Sequence, residues 1–382
     1  MRITTIASAV AACACVAIAT VILVQPPPAP VSADPAAAQP RQATTAPAAT
    51  DESATTGAGG ATGTAAAAPI VVAQASAPKP VAPAAPAPAA QAPVTPPGPA
   101  YAGPPIVAGG TCPGNPNALG ISRVVEVDTT GGPGFGSEQF KTHDFLREGE
   151  VVLTFDDGPW PRNTPEVLTA LAAHCTKAIF FPIGLHATYE PGILKQVAAA
   201  GHIVGSHTWC HQNLSKTKGK CNVGGKVQQV TYDPKDEIEK GISAVHWAVG
   251  GPTAPFFRFP GLNQPPDMVS YLGQRNIAIF SADIDSFDFK LHKPDQVRQS
   301  VMTKLKKQGK GIILMHDFQR STAEALMALL NDLKAGGYKV VVMKPKNYVT
   351  TIASYDEMIT KQVKGAASDE RPTSSVIRTI SE

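Results

Sequence analysis

The stretch Val151-Val152-Leu153-Thr154-Phe155-Asp156-Asp157-Gly158-Pro159 decides how the rest of the chain is read. Five apolar or β-branched residues run straight into two carboxylates and a Gly-Pro turn. A short, unbroken apolar run closed by a turn signal predicts a strand covered on both faces, the form taken in parallel sheets. Working outward, similar runs recur at 177–183, 202–205, 256–259, 277–282, 311–315 and 338–343. Between them lie stretches with helical patterning at 164–174, 192–200, 234–249, 266–274, 294–308 and 322–336. Strands spaced by such stretches imply βαβ units. The expectation is an α/β fold with about seven parallel strands, closed or nearly closed into a barrel.

Outside this core the composition changes. The chain has 382 residues and 36 prolines, and residues 25–105 hold 19 of the prolines but only five charged side chains. Such an Ala/Pro/Thr/Gly segment cannot bury enough apolar surface to offset its ordering entropy. Residues 34–105 are therefore expected to be a disordered Pro/Ala-rich linker. Ahead of it, after Arg2, residues 3–24 carry no charge. Two readings of residues 1–33 stand: a signal peptide, with small residues at Val31-Ser32-Ala33, or an uncleaved membrane anchor. Either puts the remainder in an extracytoplasmic space: secreted, periplasmic or tethered by that segment alone. Residues 106–149 read as a lead-in packed on the main domain, 150–345 as that domain, and 346–382 as a partly disordered extension with a helix near 354–363. The charge is nearly balanced at +3, with no basic stripe or block. That argues against a nucleic-acid partner and gives no electrostatic reason to expect a polyanionic substrate.

Six cysteines fit an oxidising compartment. Cys13 and Cys15 lie in the leader, which leaves Cys112, Cys175, Cys210 and Cys221. Pairing Cys210 with Cys221 would close a polar, Gly/Lys-rich loop, with Cys112–Cys175 following; the alternative is four free thiols.

Chemistry gathers where the predicted strands end. Asp156-Asp157 closes the first run. Ser206-His207-Thr208-Trp209-Cys210-His211 closes the third, Arg258-Phe259-Pro260-Gly261 the fourth, and Asp283-Ile284-Asp285-Ser286-Phe287-Asp288 the fifth. His316-Asp317 closes the run at 311–315. In a parallel barrel all these ends open on one rim, where such folds place their sites. His207 and His211 are four apart, so on one helical turn their rings would aim at one point. A carboxylate from Asp156-Asp157 would complete a three-ligand divalent site, and the second carboxylate could then take a proton from water activated there. His316 reads as an acid, with Asp285 on its ring to favour the imidazolium. Arg258 reads as a cation that clamps Asp156 in bidentate geometry. Trp160, Trp209 and Phe287 lie near these clusters, where aromatic rings either stack on a bound ligand or pack in the core.

Five motifs in order, Thr154-Phe155-Asp156-Asp157-Gly158-Pro159, His207-x-x-x-His211, Arg258-Phe259-Pro260, Asp285-Ser286-Phe287-Asp288-Phe289 and Leu314-Met315-His316, resemble those of the polysaccharide deacetylases (carbohydrate esterase family 4, the NodB-homology domain). The resemblance covers roughly half the chain. It implies a distorted (β/α) barrel and metal-dependent removal of N- or O-acetyl groups from a glycan such as a chitin-type oligomer, peptidoglycan or an exopolysaccharide. By motif, Asp157, His207 and His211 would ligate the metal, usually zinc. Asp156 would be the base, held by Arg258, and His316 the acid, tuned by Asp285. Leu314 would line the acetyl-methyl pocket, and Pro260-Gly261 would bring a backbone N–H to the oxyanion. Two positions depart from the family pattern: Gly261 stands where an aromatic is usual and Phe289 where tryptophan is usual. Both border the groove rather than the reacting groups. Two other readings are a catalytically silent glycan-binding module of the same fold and an acetyl-xylan-type esterase.

Overall fold

The structure, a computed structural model, describes residues 96, 98–100 and 105–368. The leader, nearly all of the linker and the chain beyond 368 lie outside the described residues. In chain order the elements begin with β1 (Arg123–Val127), β2 (Gly134–Phe135), β3 (Glu150–Asp156), α1 (Asn163–Ala173), β4 (Ile179–Phe181), α2 (Gly184–Tyr189), α3 (Pro191–Ala199) and β5 (Ile203–Val204). A hairpin follows, β6 (Lys218–Val223) and β7 (Lys226–Thr231), then α4 (Pro234–Val249), β8 (Phe256–Phe257), a 3₁₀ turn at Pro260–Leu262, and α5 (Pro266–Gln274). The remainder is β9 (Ala278–Phe280), β10 (Ile284–Asp285), α6 (Pro294–Gln308), β11 (Gly311–His316), α7 (Arg320–Ala335), β12 (Lys339–Pro345) and α8 (Ala353–Ser368).

All seven predicted strands form, and every pairing among them is parallel. β3 is central: each of its seven residues is buried, which is why its sequence is apolar without alternation. It pairs with β11 on one side and β4 on the other, and β4 pairs with β5. A parallel bridge from Ser206 to Phe257 carries the circuit to β8, which pairs with β9. β9 runs on into β10, and β10 pairs with β11. One strand of this circuit differs from the sequence reading. Its last member is β10, two residues within the predicted site cluster. The 338–343 run, as β12, meets only the start of β3 and forks away to pair with β1. That fork, with the unladdered step from β9 to β10, makes the barrel a distorted one.

Helix boundaries follow local chemistry. α4 starts where the Asp233 carboxylate accepts from the Lys235 N–H at 2.7 Å, with Pro234 at its first position. It stops at Gly250, whose φ of 77° is cheap only without a Cβ. Within residues 106–149, β1 pairs with β12 and β2 with β9, both parallel. The Gly98 and Pro99 carbonyls accept from Asn347 Nδ2 and the Tyr348 N–H.

Candidate metal centre and acid/base pair

Asp156 and Asp157 part because the backbone turns between them. Asp156 is the last residue of β3, in register with His316 on β11 and Phe181 on β4. Asp157 follows with φ of 72°, a left-handed conformation that needs external support. The support is there: its N–H donates to the Phe181 carbonyl at 3.2 Å, and its carbonyl meets His186 Nδ1 at 2.7 Å. His186, in α2, was not anticipated.

His207 and His211 do converge, but not on a helical turn. Residues 206–211 make irregular turns with Thr208 at φ 67° and His211 at φ 55°. The neighbouring helices hold them. Gly184 and Leu185 at the start of α2 donate to the Thr208 and Trp209 carbonyls, both at 2.9 Å. In the first turn of α4, the Glu237 carbonyl and carboxylate accept from the Trp209 and Cys210 N–H groups at 2.8 and 2.9 Å. Burial pushes the Glu237 carboxyl up to about 7.

The resulting cluster meets a metal's requirements. His207 Nδ1 lies 2.7 Å from the Arg258 carbonyl, which can only accept. That ring nitrogen therefore carries the proton, and Nε2 presents its lone pair. Asp157 Oδ1 is 3.4 Å from His207 Nε2 and 3.5 Å from His211 Nε2. It is buried and has no hydrogen-bond partner. Donors about 2.0–2.1 Å from a tetrahedral centre stand about 3.4 Å from one another, so the three groups fit a divalent ion of zinc's size. Burial pushes the His207 imidazole down to about 4, against the pull of Asp156, so the ring stands ready as a neutral ligand. Burial also opposes ionisation of Asp157, yet the surrounding histidines hold its carboxyl below the usual range.

Asp156 and His316 flank this cluster. Arg258 is fully buried, and its Nη1 donates to Asp156 Oδ1 at 2.7 Å and to Thr154 Oγ1 at 2.8 Å. The clamp touches one carboxylate oxygen rather than the two expected, because Nη2 is turned to the Ser281 carbonyl at 2.9 Å. That leaves Asp156 Oδ2 facing the centre, 4.0 Å from His207 Nε2. His316 Nε2 is 3.9 Å from Asp157 Oδ2.

The carboxylate on the His316 ring is Asp288, not Asp285. Asp288 Oδ1 lies 2.6 Å from His316 Nδ1, while Oδ2 accepts from the His316 N–H at 2.7 Å and from Thr322 Oγ1 at 2.5 Å. Asp285 Oδ1 instead accepts from the Phe287 N–H at 2.8 Å and caps the turn that swings Asp288 inward. In a turn that reverses the chain, the later carboxylate points back, which strand-end counting does not foresee. Burial alone would lower the His316 imidazole, but the Asp288 hydrogen bond and charge, with Asp157 and Asp156 behind, push it up to about 10.

The groove residues occupy the same rim. Pro260 is buried and Gly261 exposed at φ 58°, with open space where a Cβ would stand. Leu314 is buried, two residues before His316 on β11. Trp160 is exposed and meets His186 and Phe318 edge-on. Cys210–Cys221 and Cys112–Cys175 are both disulfide-bonded.

A parallel barrel here brings a two-histidine, one-aspartate cluster that could hold a metal ion up against a buried aspartate and a half-buried histidine. The sequence profile described as Polysaccharide deacetylase matches residues 145–279. A peptidoglycan-N-acetylglucosamine deacetylase of Bacillus cereus is 30% identical over 195 residues, 50% of this chain and 67% of that protein. A peptidoglycan-N-acetylglucosamine deacetylase of Listeria monocytogenes serotype 1/2a is 32% identical over 199 residues, 50% of this chain but only 38% of that protein's length. Among solved structures, a peptidoglycan deacetylase of Bdellovibrio bacteriovorus superposes with a TM-score of 0.51 at 28% identity, covering 65% of each chain. The chain belongs to the polysaccharide deacetylase family.

Proposed function

We propose that this chain is a hydrolase that removes N-acetyl, or O-acetyl, groups from an extracytoplasmic polysaccharide or oligosaccharide, with Asp156 as base and His316 as acid. The observation that carries the reading is the buried, unpartnered Asp157 Oδ1 within 3.5 Å of two imidazole Nε2 atoms, with an acid and a base on either side. A divalent ion held by Asp157, His207 and His211, zinc by the character of the donors, would polarise the acetyl carbonyl and acidify a water. Asp156, through the oxygen that Arg258 leaves free, takes the proton of the attacking water. Buried Arg258, donating to the other oxygen, keeps that carboxylate aimed. His316, protonated and held at Nδ1 by Asp288, delivers a proton from Nε2 to the departing sugar nitrogen. Leu314 forms an apolar seat for the acetyl methyl, and the Gly261 N–H is the assigned oxyanion donor, a kind of contact whose loss typically costs about 10²–10³ in rate. Two disulfides suit an oxidising space, and relatives named for peptidoglycan and chitooligosaccharide deacetylation suit an acetylated glycan.

The test is acetate release from N-acetylglucosamine oligomers and peptidoglycan, with and without chelator. Release that chelator abolishes and added zinc restores is expected. Asp156→Asn should still bind zinc in an equilibrium titration yet lose about 10²–10⁴ in rate. Binding of several glycans without any acetate would refute the hydrolase and leave a glycan-binding module.

A further inference from the structure

Between His211 and α4 the chain makes an excursion that the acid/base chemistry does not use. β6 and β7 pair antiparallel from Lys218–Thr231 to Val223–Lys226. From Gln212 to Tyr232 the sequence has Lys216, Lys218, Lys220 and Lys226 and no carboxylate. All four lysines are exposed, and among the described residues none has an ion-pair partner. The next carboxylates along the chain are engaged elsewhere: Asp233 caps α4, Asp236 accepts from Tyr355 Oη, and Glu237 is buried against the Cys210 N–H. A chain of nearly even overall charge thus carries a run of four lysines without an ion pair, which the composition concealed.

The arm is fixed against the site. Cys221 is bonded to Cys210, the residue before His211. Asn263, just past Gly261, donates from Nδ2 to Asn213 Oδ1 at 2.7 Å, and Tyr232 Oη donates to the Asn213 carbonyl at 2.8 Å. Farther out, the Gly224 N–H donates to Tyr189 Oη at 2.8 Å. Cys221 and Val230 pack inward against Trp209. Strand alternation then puts Lys218 and Lys220, with their cross-strand partners Thr231 and Gln229, on the opposite, solvent face. Beside the acid, Phe289 lies 6.0 Å from the His316 ring. Lys290 stands 5.1 Å from the Phe289 ring and 5.2 Å from Phe287, and both rings are exposed.

We propose that the 218–231 hairpin is a cationic arm that binds carboxylates on the sugars beside the one being deacetylated, which makes the substrate an acidic acetylated glycan rather than a neutral one. The inference rests on the deacetylase reading and narrows its substrate class. Exposed lysines on a hairpin tied to the segments of His211 and Gly261, with the exposed rings of Phe287 and Phe289 near His316, complement a chain that offers sugar faces and anions together. Such charges act on encounter and selection more than on chemistry.

The experiment uses the full chain loaded with zinc and two soluble chitins on the same backbone, anionic carboxymethyl chitin and neutral glycol chitin. Binding is titrated directly at low and high salt, with acetate release measured in parallel. In the K216Q/K218Q/K220Q/K226Q variant, Kd and KM for carboxymethyl chitin should rise about tenfold, with the salt sensitivity gone. Its kcat and all glycol chitin constants should stay put, and four arginines in place of the lysines should restore binding. Unchanged affinity for carboxymethyl chitin, or an equal loss on glycol chitin, overturns the proposal. K218Q/K220Q alone, on the solvent face, should give a smaller loss of the same kind. Were the parent to bind carboxymethyl chitin yet release no acetate, the hydrolase reading would fail while the Kd series still judged the arm.

Discussion

Single residues with the same side chain have different parts here, and backbone direction assigns them. Asp156 keeps the strand conformation and meets Arg258, while Asp157 leaves it at φ 72° and meets two imidazoles. Asp285 and Asp288 are separated likewise: one caps a turn, the other reaches His316. His316 acts as an acid only while protonated, so rate falls as pH rises through its pKa. Without Asp288 that pKa drops, because burial is then opposed only by the charges of Asp157 and Asp156. Asp288→Asn should therefore move the basic limb of the pH–rate profile to lower pH by a unit or more, whereas Asp285→Asn should leave it in place. Equal shifts in both variants would return the role to Asp285. The same pair bears on stability. A raised histidine pKa stabilises fully below its unfolded value near 6.5 and loses that contribution as pH climbs toward about 10. Melting curves across that window should decline in the parent and be flatter in Asp288→Asn.

At the scale of elements, the 206–211 turn is the part most dependent on its neighbours. It is hung between the N-terminus of α2 and the first turn of α4, and α4 comes close because Gly241 has no side chain. A Cβ there would stand 2.5 Å from the Thr208 carbonyl carbon and 2.9 Å from the Trp209 N, both backbone. Backbone cannot swing aside as a flexible side chain can. Gly241→Ala should cost about 1–3 kcal/mol in denaturant unfolding and weaken zinc binding, since the displaced turn carries His207 and His211. Gly192→Ala in α3 is the control: its Cβ meets nothing within 4 Å, so stability should hold or rise by a few tenths of a kcal/mol. Loss of stability in Gly241→Ala with zinc affinity intact would uncouple the helix packing from the site.

Across the whole molecule, the two disulfides serve opposite ends of the barrel. Cys210–Cys221 lies beside a candidate ligand. Cys112–Cys175 ties the lead-in to the segment entering β4, at the end away from the rim, and closes a separation of 63 residues. A loop of that size constrains the unfolded chain by about 4 kcal/mol in the entropic account. Cys112→Ala/Cys175→Ala should lower Tm by several degrees or more, with kcat at 25 °C unchanged; a fall in kcat would show that the lead-in reaches the site. The sequence by itself determined the seven parallel strands, the helices between them and the motif residues. Buried apolar runs, turn residues and titrating groups at strand ends are local patterns set by backbone periodicity. Only the tertiary structure decided that Ile284–Asp285 takes a place in the circuit while Lys339–Pro345 forks outward, because strand order depends on which edges meet across the barrel. It alone turned Asp288 to His316, gave Arg258 one carboxylate oxygen instead of two, and set His186 beneath Asp157. Contacts between distant segments depend on how helices pack and turns reverse, and nothing in the spacing of residues along the chain fixes those.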